Sequence, residues 1–147
     1  ICACLVGSEM CIRDRPVTDI WGVLMRKDSL LVSHERITAA ELKDLPLLVS
    51  QQEEQSAEGL KKWLKGRELN IVGTYNLLYN TTLMVEEGMG YALTLDKLAP
   101  TGNDSVLCYK PLYPAVETSS YFVWKKFQIF SQAAKIFLNK MRETYER

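Results

Sequence analysis

The sequence is poor in the residues on which much protein chemistry depends. One His in 147 residues leaves little room for histidine-based metal sites or a histidine triad. Of the four Cys, Cys2, Cys4 and Cys11 crowd the first eleven residues and Cys108 stands alone far downstream, which is no disulfide framework. CxxC and HxxxH pairs and Asp-rich loops are absent, so no metal is expected. No apolar run is long enough to span a bilayer. Neither charge sign is in excess, with Lys plus Arg at 18 and Asp plus Glu at 18. A nucleic-acid or anionic-membrane surface, which needs clustered Lys and Arg, is therefore not expected on this segment. What is present is a 47% hydrophobic fraction with seven Tyr, four Phe and three Trp, enough for a core in one domain or part of one.

Residues 1–15 read differently from the rest. Leu5 to Arg15 resembles one reading frame of a transposon-end adapter used in preparing sequencing libraries. A signal peptide would carry its basic residues before the apolar stretch, whereas here Arg13 and Arg15 follow it. We therefore set 1–15 apart from 16–147 and expect the natural protein to extend upstream of Pro16. Without Glu9, Arg13, Asp14 and Arg15 the charge stays balanced, and Cys108 is the one Cys left, as suits a reducing cytoplasm.

From Pro16 onward, strand and helix signals alternate. Ile20–Met25 is an apolar strand closed by Arg26, Lys27 and Asp28. A loop runs through His34. Thr38 and Glu41 have the spacing of a capping box and open a short helix with Leu42 and Leu45, stopped by Pro46. Leu47–Val49 is a short strand covered on both faces, and 51–55 is a polar loop. Ser56 is a candidate cap for a helix bearing Leu60, Trp63 and Leu64, with Gly66 at its end. A strand over 69–73, a helix over 76–87 ended by Gly88, and a strand over 91–95 follow. Strands over 106–109 and 121–124 flank a connection containing Pro111 and Pro114. Ser131 caps a last helix striped with Ala134, Phe137, Leu138, Met141 and Tyr145. This order predicts an α/β fold with a largely parallel sheet.

Few residues stand out as chemical. Gly88-Met89-Gly90 closes a helix and precedes a strand, the reverse of a nucleotide-binding glycine loop, so a helix C-terminus is the better reading. Cys108 with His34 is the one thiol–imidazole pair available, but nothing nearby would orient a base. Cys108 reads as a small core residue and His34 as an exposed loop side chain. Lys61, Lys62, Lys65 and Arg67 read as the outer face of a helix. One set rises above these. Ser50 and Gln51 directly follow one strand, and Thr74, Tyr75 and Asn76 directly follow another and open a helix. Ligands of open α/β sheets bind beyond the carboxyl ends of the strands, near unpaired helix N–H groups. Simple N-capping would also account for Thr74 and Asn76.

Taken in order, Trp21-Gly22-Val23-Leu24, Ile37-Thr38, Leu42-Lys43-Asp44-Leu45-Pro46-Leu47, Asn76 to Asn80, Met84 to Leu93, Val123 to Lys126 and Ser131 to Leu138 resemble the effector-binding domain of LysR-type transcriptional regulators over nearly all of 17–146. The resemblance implies a periplasmic-binding-protein-like (type 2) α/β fold. This chain would hold the second lobe with the returning terminal strand and helix. Most of the first lobe and a DNA-binding winged helix-turn-helix would lie upstream. It further implies a cytoplasmic, non-enzymatic sensor without cofactor or metal that binds a polar or anionic small-molecule effector between lobes, and a homodimer or homotetramer when full length. Ser50, Gln51, Thr74, Tyr75 and Asn76 are the expected effector contacts. A solute-binding transport protein, or an enzyme on the two-lobed fold, are the alternatives. If a first lobe is missing, Phe137, Leu138 and Met141 should lack full burial.

Overall fold

The structure is a computed structural model that describes residues 3–4, 10–51, 58–125 and 129–145. The chain divides into two compact units, Asp19–Thr118 and the pair of segments Ile1–Thr18 and Ser119–Arg147.

The 19–118 unit is built on one sheet. Its strands are the latter part of β2 (Met10–Arg26), β3 (Ile37–Thr38), β4 (Leu47–Ser50), β5 (Ile71–Tyr75), β6 (Tyr91–Leu95) and β7 (Leu107–Tyr113). Their order across the sheet is β3-β7-β2-β6-β4-β5. The pairs β4 with β5, β4 with β6 and β3 with β7 are parallel. The exception is β2, which runs antiparallel to both β6 and β7. The sheet is thus parallel apart from the strand that brings the chain into the unit. Consequently β3, β4, β5, β6 and β7 all end on one edge, the edge at which β2 begins its passage.

Alternation along the strands assigns two cores. Trp21, Val23 and Met25 of β2 join Leu47, Val49, Leu93, Leu112 and Val116 on one face. Leu42 of helix α1 (Ala39–Leu42) and Leu60 of helix α2 (Glu58–Leu64) cover that face. On the other face Leu24, Leu48, Ala92 and Leu107 pack with Val85 of helix α3 (Leu78–Glu86). Coverage on both faces explains why β4 is a continuous apolar run, as expected.

Local signals act where they are written. The Glu41 carboxylate accepts from the Thr38 backbone N–H at 2.7 Å and from its hydroxyl at 2.5 Å. It also pairs with His34 Nδ1, so His34 is held rather than loose, at the end of a short 3-10 turn over Leu30–Ser33. Gly66 and Gly88 have φ of 77° and 78°, as helix-ending glycines do. At the end of α3, Gly88 N–H bonds Val85 O and Met89 N–H bonds Met84 O, the paired bonds of a Schellman motif. A Cβ on Gly90 would collide with the Pro46 carbonyl oxygen.

Several expectations need correction. The strand expected at 69–73 is Ile71–Tyr75, an edge strand with a register irregularity opposite Leu47 and Leu48. The helix expected from Asn76 begins at Leu78, with Leu77 as an N-cap that makes no side-chain bond. Neither Thr74 nor Asn76 is the cap. Pro111 lies within β7 opposite Gly22 instead of in a connection. Residues 52–57, including Ser56, lie outside the described residues.

In the other unit, β1 (Ala3–Cys4) pairs antiparallel with the start of β2, Ala3 opposite Ile12. Residues 10–15, set apart in the sequence analysis, are the first part of β2. Strand β8 (Glu117–Lys125) also pairs with β2. Helix α4 (Gln132–Tyr145) starts where expected, with the Ser131 hydroxyl accepting from Ala134 N–H at 3.3 Å. On α4, Phe137 is 54% exposed and Leu138 and Met141 are only partly buried. Among the described residues no helix is long and apolar enough to cross a membrane.

Candidate functional site

The carboxyl edge of the sheet gathers the ends of strands far apart in sequence. Parallel pairing sets Val49 against Thr74 and Ser50 against Tyr75, so the two polar segments singled out from sequence lie side by side. Gln51 Nε2 reaches Thr74 Oγ1 at 3.4 Å, a long and weak bond. Gln51, Thr74 and Asn76 are exposed and Ser50 is half-buried. Just past them, α3 begins without a side-chain cap, so its first-turn N–H groups present partial positive charge at this edge.

Tyr75 differs from the other four. Its hydroxyl donates to Leu93 O at 2.7 Å, and its ring packs against the core of Leu24, Leu48, Val85, Ala92 and Leu107. It anchors the end of β5 to the sheet.

A second cluster on the same edge was not foreseen. Asp96, the residue after β6, accepts from Ile20 N–H through Oδ1 at 2.9 Å and pairs through Oδ2 with Lys97 Nζ at 2.8 Å. Burial pushes the Asp96 carboxyl up, but Lys97 and the Ile20 N–H together outweigh it, and the group sits below the usual carboxylate range. Tyr109 lies across Gly22, where a Cβ would overlap its ring, and its hydroxyl donates to Ile20 O at 2.7 Å. Burial, helped by the Asp96 charge, raises the Tyr109 phenol above its ordinary value. Leu95, Asp96, Lys97, Ala99, Thr101 and Tyr109 line a concavity of about 320 Å³. Sequence could have hinted at this cluster only through Asp96-Lys97 directly after a strand, because its partners lie 76 and 89 residues away.

The other candidates stay apart from this edge in their chemistry. The Cys108 thiol is pushed up by burial and faces Arg26 O at 3.9 Å, while His34 is engaged with Glu41. No group of three or more His, Cys, Asp or Glu suited to a metal occurs among the described residues.

An open, mostly parallel sheet with polar side chains and a bare helix start at one edge is the site geometry of a metabolite-binding α/β lobe. The family model for the LysR substrate binding domain matches residues 15–146. The chain belongs to the LysR substrate-binding domain family. Solved structures share its fold. HinK, a LysR family transcriptional regulator from Pseudomonas aeruginosa, is 17% identical with TM-score 0.70, over 91% of this chain and 48% of HinK. The regulatory domain of CcmR from Synechocystis PCC6803, in complex with 2-PG, is 12% identical with TM-score 0.73, over 100% of this chain and 72% of that one. The effector binding domain of QuiR, in complex with shikimate, is 14% identical with TM-score 0.71, over 92% and 66%. The chain thus spans about half the length of the HinK regulator. No curated protein matches it by sequence.

Proposed function

We propose that residues 16–147 are the effector-sensing part of a LysR-type transcriptional regulator, with residues 1–15 outside the domain. The observation that carries this reading is the family match over 15–146, joined to a carboxyl edge that brings Ser50 and Gln51 against Thr74–Asn76. Relatives of this fold are complexes with small molecules, 2-PG for CcmR and shikimate for QuiR.

The effector is a polar or anionic metabolite. Ser50, Gln51, Thr74 and Asn76 offer hydroxyl and amide groups, and the bare start of α3 favours negative charge. Tyr75, whose hydroxyl is spent on Leu93 O, holds the others in position and offers ring and backbone. Binding shifts a pre-existing equilibrium among regulator arrangements, because one arrangement binds the effector better. The chain is not an enzyme, uses no cofactor or metal, and works in the cytoplasm. DNA contacts belong to a winged helix-turn-helix outside it, in keeping with its zero net charge, and the full regulator is a homodimer or homotetramer.

A thermal-shift screen of the chain against hydroxy acids and phosphorylated metabolites tests this reading. A ligand at about a hundred times its Kd should stabilise the fold by about 2.7 kcal/mol, and Thr74→Val and Asn76→Ala should each reduce that gain. A full gain retained in both variants, or turnover of the stabilising compound, would overturn it.

A further inference from the structure

The place where β2 brings the chain into the 19–118 unit is tied more tightly than a strand end requires. In the register of β2 against β6, Trp21 faces Leu95, so Ile20 faces Asp96. The Asp96 N–H bonds Ile20 O at 2.9 Å, half of an ordinary ladder rung. The other half would be Ile20 N–H to the Asp96 carbonyl. The chain instead turns at Lys97, at φ 61°, and the Asp96 carboxylate takes the carbonyl's place at 2.9 Å. The Tyr109 hydroxyl adds a second donor to Ile20 O, reaching it over the space that Gly22 leaves open. One residue on, Trp21 N–H bonds Val116 O at 2.9 Å, which ties the incoming strand to the chain on its way out. The limits of the unit, Asp19 and Thr118, lie one residue before Ile20 and two after Val116.

We propose that Asp96 and Tyr109 are positioning residues that clamp Ile20, so that any bending of the two crossing segments is confined to Thr18–Asp19 and Thr118–Ser119. The clamp serves a sensing domain directly. Asp96 directly follows β6, the sheet neighbour of the strand that ends in Ser50, so the effector-facing edge and the crossing backbone share one frame. The inference rests on the side-chain bonds of Asp96 and Tyr109 to the Ile20 backbone and stands or falls independently of the effector reading.

Amide hydrogen exchange and ¹⁵N relaxation dispersion on the full chain test it without any ligand. In the parent protein, millisecond exchange broadening should appear at Thr18 and Ser119 and stop at Ile20. Asp96→Ala should speed exchange of the Ile20 amide by about tenfold, the loss of one charge-assisted bond, with Val23 and Leu93 unchanged. Asp96→Asn keeps an acceptor oxygen and should restore most of the protection. Tyr109→Phe keeps the ring and should let broadening spread to Ile20 and Trp21. An Ile20 amide that exchanges at the parent rate in Asp96→Ala would overturn the clamp. So would equal acceleration at Val23 and Leu93, or parent-like relaxation in Tyr109→Phe.

Discussion

Gly22 offers the sharpest test of how this sheet is packed. It sits in β2 opposite Pro111, beneath the Tyr109 ring. A methyl group there would overlap Tyr109 Cζ, Cε2 and the hydroxyl oxygen. Gly22→Ala therefore forces the ring aside. The cost has two parts. Overpacking a well-filled region costs about 1–3 kcal/mol. Displacing the ring also breaks the 2.7 Å bond to Ile20 O, worth about 1 kcal/mol. Together they predict a loss of about 2–4 kcal/mol, or a fall in the urea midpoint of about 1–2 M at an m-value near 2 kcal/mol/M. A double-mutant cycle isolates the cause. In a Tyr109→Ala background the methyl group has room, and Gly22→Ala should then cost less than about 0.5 kcal/mol. An unchanged midpoint for Gly22→Ala alone would refute the argument, as would an equal loss in both backgrounds.

Other perturbations read other parts of the fold. Leu24 and Leu48 are fully buried to within 1%, and truncating either to Ala should cost about 2–5 kcal/mol by urea unfolding. Gly90→Ala drives a methyl group into the Pro46 carbonyl and should lose about 1–3 kcal/mol in the same assay. The Thr38 hydroxyl, then the Thr38 N–H and His34, hold the Glu41 carboxyl below its ordinary 4.5 against the opposing effect of burial. A depressed carboxyl stabilises the fold above its unfolded pKa, and that contribution fades as pH falls through the folded value. Stability should therefore start to drop below about pH 4.5, and Glu41→Gln should flatten that acid limb in pH-dependent unfolding.

Much of this architecture is legible in the sequence because it is set locally. Strand β6 falls on Tyr91–Leu95 as read. The Thr38–Glu41 spacing forms its capping contacts, and Gly88 ends α3 through a Schellman motif. The departures share a cause, which is that the deciding contacts are remote. Strand β5 is offset by two residues from its expected span because it is an edge strand, with Ile71 and Val72 at 44% and 53% exposure. Its alternation is not enforced by burial on both faces. Pro111 reads as a strand breaker by type, yet β7 carries it opposite Gly22. The antiparallel course of β2 depends on where the chain crosses between units, which no local pattern encodes. The site divides along the same line. Ser50, Gln51 and Thr74–Asn76 could be found because they sit at or just past the ends of apolar strands, Ser50 closing β4 and Thr74 and Tyr75 closing β5. Tyr109 could not, and Asp96 was hinted at only by its place directly after β6, since only the folded sheet brings the two to Ile20.

The central claim is that the edge beyond β4 and β5 grips a small polar effector. Titrating the ¹⁵N-labelled chain with the metabolite that stabilises it most, and mapping the amide shifts, tests this directly. The account predicts the largest saturable shifts at Ser50, Gln51, Thr74, Tyr75, Asn76 and the first turn of α3. Saturable shifts centred elsewhere, with these amides unmoved, would contradict it.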